Sequence, residues 1–130
     1  MLDGMAADVE GQRVLIVEDD YFLSEEMAMM FTAMGAKVVG PVGSLKDAAY
    51  LVAEGRGIDG AVLDINLHGE HVFQVADMLR AQSIPFVFVT GYDRSVLPTR
   101  HAGAKFCTKP VEPLEVMQAL FSAGTQPGRP

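Results

Sequence analysis

A single cysteine, Cys107, is present, so no disulfide can close within the chain and stability has to come from packing. The lone thiol lies inside the apolar run 104–108, reads as a packed core side chain, and fits a reducing compartment. Basic residues are scarce. Ten Lys and Arg stand against 17 Asp and Glu, a net charge of −7, which leaves no basic patch for a phosphate backbone and sets direct nucleic-acid binding aside. No apolar run approaches the roughly 18 residues of a membrane span. Residues 1–12 lack the basic start and apolar middle of a signal peptide, so the expectation is a soluble, cytoplasmic chain with no membrane contact. Internal repeats and low-complexity segments are also missing. What remains is 130 residues with a hydrophobic fraction of 49%, enough for one domain with a real core.

The organising stretch is Ala61-Val62-Leu63-Asp64-Ile65-Asn66, with Gly69 close behind: three apolar residues lead straight into an acid. Three other apolar runs stop on polar chemistry. Residues 14–17 end in Glu18, Asp19 and Asp20, residues 85–89 end in Thr90, and residues 104–108 end in Lys109. Between these runs the periodicity is helical. Leu23, Met27, Met30, Phe31 and Met34 form one stripe ending at Gly35; Leu45, Ala48, Ala49 and Val52 form a second, opened by Ser44 with Asp47 three residues on. Val72, Val75, Ala76 and Leu79 mark a third helix over 70–81, and Pro113 opens a last one with Leu114, Met117, Leu120 and Phe121 inward. Strands are expected at 13–17, 37–42, 58–63, 86–89 and 104–108, the second at a sheet edge because Gly40-Pro41 interrupts it. Only 94–102 is irregular. Pro98 sits in its middle, which predicts a short or broken helix.

Five strands alternating with helical segments predict an α/β fold: a three-layer, doubly wound sandwich around a five-stranded parallel sheet of order 2-1-3-4-5. Residues 1–12 read as a flexible lead-in, 13–123 as the domain and 124–130 as a flexible tail. In such a sheet ligands collect at the carboxyl ends of the strands, which is where Glu18, Asp19, Asp64, Thr90 and Lys109 fall. Crowded carboxylates there would either hold protons or bind a hard divalent cation, for which Mg²⁺ is the natural choice. A solvated acidic turn with Asp20 capping the next helix explains the first three acids equally well. Lys109 tips the balance, because a lysine beside carboxylates can pair with Asp64 at rest and with a phosphoryl oxygen afterwards. The chemistry this set permits is acceptance of a phosphoryl group, with Asp64 as nucleophile and Thr90 offering a hydroxyl to the same group.

Val17-Glu18-Asp19-Asp20, Asp64, Thr90-Gly91 and Lys109-Pro110 together resemble the receiver domain of two-component response regulators (the CheY-like family), over about residues 13–121. The resemblance implies a phosphoprotein rather than an enzyme, taking its phosphoryl group from a histidine kinase or histidine phosphotransfer protein onto Asp64. It implies Mg²⁺ held by Asp19, Asp64 and the backbone carbonyl of Asn66, with Glu18 acting mainly through a metal-bound water. Thr90 and Phe106 would be the switch pair, although Phe106 also reads as a plain core aromatic. Phe88-Val89-Thr90-Gly91-Tyr92 with Leu97-Pro98 is similar to the FATGUY subgroup of single-domain regulators, which makes Tyr92 a second switch aromatic. The Thr90 to Lys109 spacing is shorter than the family's usual one, so no dimer face or output face is carried over. A monomer or weak dimer acting through protein contacts, or as a phosphate shuttle or sink, is the expectation. The alternative is a metal-dependent phosphohydrolase with Asp64 as transient nucleophile, yet Asn66 stands where such enzymes place a second acid. His68 and His71 offer too few soft ligands for zinc, and Met29, off the main stripe, is a candidate docking residue.

Overall fold

The computed structural model describes residues 8–122. Seven strands and four α-helices follow in the order β1 (Arg13–Val17), α1 (Tyr21–Ala33), β2 (Lys37–Val42), α2 (Leu45–Ala53), β3 (Gly60–Asp64), β4 (Asn66–Leu67), β5 (Glu70–His71), α3 (Phe73–Ala81), β6 (Phe86–Thr90), β7 (Lys105–Thr108) and α4 (Pro113–Phe121). Five of the strands form one parallel sheet in the order β2-β1-β3-β6-β7, while β4 and β5 make a separate antiparallel ribbon. Counting only the sheet strands, this is the 2-1-3-4-5 order expected from the alternation of strand and helix.

The central strands β1, β3 and β6 are almost continuously apolar because helices cover both faces. Side chains alternate between the faces and feed two separate clusters. Leu15, Val17, Leu63, Phe86 and Phe88 pack under α2 and α3, whereas Val14, Ile16, Val62, Val87 and Val89 pack under α1 and α4. The β1–β2 register shifts between Leu15 and Val17, opposite Gly40-Pro41. Gly40 has φ +90°, and a Cβ there would lie 2.9 Å from the Val42 nitrogen, so this bulge admits glycine and little else.

Helix starts follow the capping residues. Asp20 accepts from the Leu23 amide at 3.2 Å and Ser44 Oγ from the Asp47 amide at 3.1 Å; Glu112 and Glu115 cap the start of α4 reciprocally, with Pro113 in its first turn. The inward face of α4 differs from the expected stripe. Val116 is fully buried, while Leu114 and Phe121 are only half-buried. Cys107 is likewise half-buried rather than enclosed, because β7 is an edge strand.

Several boundaries move. The third sheet strand runs over Gly60–Asp64 instead of 58–63, β6 extends by one residue to Thr90 and β7 starts at Lys105, while α3 starts at Phe73 because residues 66–71 fold back as the β4–β5 ribbon. The irregular stretch contains two 3₁₀ turns, Arg94–Val96 and Thr99–His101, with Pro98 between them, so no fourth crossover helix forms there. The tail expected at 124–130 and most of the lead-in lie outside the described residues. Within 8–12, Val9 is fully buried in the α1–α4 cluster, and the Gly11 amide donates to the Gly35 carbonyl at 2.8 Å.

Candidate functional site

The parallel register sets Val17 beside Leu63 and Asp64 beside Val89, and Thr90 opposite Thr108. The residues that follow each strand therefore meet at one sheet edge. Glu18, Asp19, Asp64, Thr90 and Lys109 come from four strand ends, and the first three offer oxygen atoms lying within 4.8 Å of one another. Lys109 Nζ donates to Glu18 Oε2 at 3.0 Å and to Asp64 Oδ2 at 3.4 Å. The lysine thus leans toward Glu18, a preference that spacing did not reveal.

Glu18 and Asp64 are buried, at 3% and 5% exposure. Glu18 Oε2 also accepts from the Asp20 amide at 3.0 Å, whereas Oε1, equally buried, has no hydrogen-bond partner among the described residues. Burial, together with the neighbouring Glu18, pushes Asp64 up to about 8, against the pull of Lys109. Burial also works against ionised Asp19, yet hydrogen bonds from the His68 amide and Asp64 hold it below the ordinary carboxylate range. Burial lowers Lys109 less than its bonds to Glu18 and Asp64 raise it. Without a cation, then, burial and mutual repulsion favour retention of a proton by the crowded carboxylates at this edge.

This donor set fits a hard divalent ion. All the donors are oxygens, the charge is in excess by carboxylates, and the orphaned Glu18 Oε1 is a buried acceptor in want of a positive neighbour. The imidazoles do not form a site of their own. His68 and His71 are both exposed; His68 adopts φ +51°, and its amide donates to Asp19 Oδ2 at 3.0 Å.

Asn66 follows Asp64 by two residues and its side chain is engaged at both its oxygen and its nitrogen. Its Oδ1 accepts from the Gly69 amide at 2.8 Å and its Nδ2 donates to the Tyr92 hydroxyl at 3.0 Å. The second acid of a D-x-D phosphohydrolase is absent here. Thr90 is buried, and its hydroxyl oxygen accepts from the Tyr92 amide at 3.2 Å. Tyr92 is 46% exposed and so touches both Thr90 and Asn66 at the mouth of the pocket. Phe106 lies on β7, outside this pocket, half-buried against the α2–α3 side of the core.

Two features carried no sequence signal. Arg94, in the irregular stretch, sits over the Phe106 ring. His101, fully buried, bridges Arg80 and Asp77 of α3. Exposed-looking cations and a histidine in a broken segment have no period that would mark them.

A family model described as the response regulator receiver domain matches residues 14–121. The chain is 27% identical over 124 residues to the Phyllosphere-induced regulator PhyR of Methylorubrum extorquens, covering 90% of this chain and 46% of that protein. It therefore spans about half the length of the curated relatives it matches, with shares of 46%, 49% and 46%. Among solved structures it is similar to SdrG from Sphingomonas melonis Fr1, at 33% identity, TM-score 0.71, covering 86% of this chain and 97% of that one. It is similar also to the receiver domain of PhyR from Erythrobacter litoralis, at 25% identity and TM-score 0.72, covering 89% and 95%.

Proposed function

The chain belongs to the response regulator receiver domain family, and on that premise we propose that Asp64 accepts a phosphoryl group from a phosphohistidine of a histidine kinase or histidine phosphotransfer protein. The observation that carries this reading is the buried Asp64 carboxyl within bonding distance of Lys109, beside two further acids and in register with Val89, the residue before Thr90. Asp64, once ionised, attacks phosphorus. An O–P bond forms, the N–P bond of the donor breaks, and the leaving imidazole keeps the electron pair and takes up a proton. Lys109 meets the charge on the phosphoryl oxygens, exchanging its present bond to Asp64 for one to the acyl phosphate, and the Thr90 hydroxyl donates to another of those oxygens. Asp19, Asp64 and the backbone carbonyl of Asn66 would hold Mg²⁺, with Glu18 behind them; bound there, the ion supplies charge neutralisation at the acceptor.

Thr90 with Phe106 forms the switch pair in this reading, and Tyr92 is a second switch aromatic. Likeness to the FATGUY subgroup is supported by the two 3₁₀ turns standing where a crossover helix was in doubt. The receiver unit spans 13–123 and works as a monomer or weak dimer through protein contacts, or as a phosphate shuttle or sink in a phosphorelay.

Beryllofluoride, a phosphoryl mimic, tests the assignment. With Mg²⁺ present, fluorine NMR should show bound fluoride in the parent chain and none in Asp64→Asn. Binding that survives the substitution would move the acceptor elsewhere.

A further inference from the structure

The 3₁₀ turn Arg94–Val96 begins four residues after Thr90, and one side chain joins it to β7. Arg94 Nη1 donates to the carbonyls of Ala102 at 3.1 Å and Ala104 at 2.8 Å. The guanidinium carbon lies 4.9 Å from the centroid of the Phe106 ring, within the range of a cation–π contact. Among the described residues no carboxylate forms an ion pair with Arg94, and the nearby Asp93 is taken up by Ser95. Among the described residues the cation is met by the ring and by two carbonyl dipoles.

The sheet register makes this position informative. Phe88 lies opposite Phe106, and side chains alternate between faces along a strand, so Thr90 projects from the same face as Phe106, one pleat further along. A ring that follows the Thr90 hydroxyl toward the pocket has to leave the guanidinium. Arg94 itself is tethered by the Ala102 and Ala104 carbonyls and does not travel with it. We propose that Arg94 is a positioning residue that holds Phe106 in its resting place and thereby sets how readily the pocket adopts its phosphorylated form. This rests on the reading of Asp64 as the phosphoacceptor.

A contact made in one state and lost in the other biases the equilibrium by its own strength, which for a partly exposed cation–π pair is about fivefold. Beryllofluoride affinity in saturating Mg²⁺ reads that bias. Arg94→Gln, which keeps an amide donor and discards the charge, should bind about fivefold more tightly than the parent. Arg94→Lys, which keeps the cation over the ring, should restore most of the parental affinity. In a Phe106→Leu background Arg94→Gln should have no effect, because there is no ring to release. The inference is overturned by an unchanged affinity in Arg94→Gln, by Lys behaving like Gln, or by an equal gain with Leu at 106, which would mark a merely loosened loop. A parent chain that forms no beryllofluoride adduct overturns the acceptor reading and this inference together, so the two failures are distinguishable.

Discussion

Asp64 shows how a single residue trades stability for chemistry. Its carboxyl sits at about 8 in the folded chain because it is buried beside Glu18, against an ordinary value near 3.9 in the unfolded one. Between those values the native state binds more protons than the unfolded state, so this group's contribution falls as pH rises through the interval. Asp64→Asn removes the conflict. In Mg²⁺-free buffer at pH 8 the variant should be more stable than the parent, and its advantage should shrink steadily as pH falls toward 5, where the parent's folded carboxyl keeps its proton; urea titrations at the two pH values measure both. A gap that widens in acid would mean that burial is not what raises the carboxyl. The acids and Lys109 were legible in the sequence because each directly follows an apolar run. The leaning of Lys109 toward Glu18 and the hold of the His68 amide on Asp19 were not, because they depend on how two loops approach each other.

At the scale of the element, the pair of 3₁₀ turns is secured by a polar clasp. Arg80 can only donate, so His101 Nδ1 accepts from it and the ring proton sits on Nε2, which donates to Asp77 at 2.8 Å. The imidazole lies stacked on Phe73 and edge-on to Phe86 and Phe88, and Arg100 grips both oxygens of Asp77. Burial first, and the cations of Arg80 and Arg100, keep His101 below its usual value despite Asp77. The native state therefore binds fewer protons than the unfolded one just below the ordinary histidine range. The clasp's contribution is whole above about pH 6.5 and declines as pH falls. His101→Ala should cost about 2 to 4 kcal/mol, from the cavity and the stranded Arg80; in the parent, hydrogen-exchange protection over residues 94–101, corrected for the intrinsic rate, should fall between pH 7 and pH 5, and in the variant that pH dependence should be lost. Pro98 announced the broken helix in advance. The β4–β5 ribbon left no such mark, since strands of two residues carry no period.

For the whole molecule, the alternation of strand and helix was sufficient to give the sheet order, and the interruption at Gly40-Pro41 correctly put β2 at an edge. The docking of Val9 was invisible because the apolar residues of 1–12 recur with no helical or strand period, and Val9 itself stands between Asp8 and Glu10. No helix of the described residues is long and apolar enough to cross a membrane. Folding assembles the acidic site, and an ion that binds only the assembled form shifts the unfolding equilibrium. Mg²⁺ at one hundred times its Kd should stabilise the parent by about 2.7 kcal/mol. Calorimetry with Mg²⁺ and with a chelator would show it, and Asp19→Asn should abolish the difference. The sheet also divides the interior into two compartments that, among the described residues, share no buried side chain. Injury to one should be felt independently of injury to the other: the free-energy costs of Leu79→Ala and Met117→Ala should sum in the double variant to within about 0.5 kcal/mol. That independence would let the two helical layers be redesigned one at a time, with the sheet as a fixed partition between them.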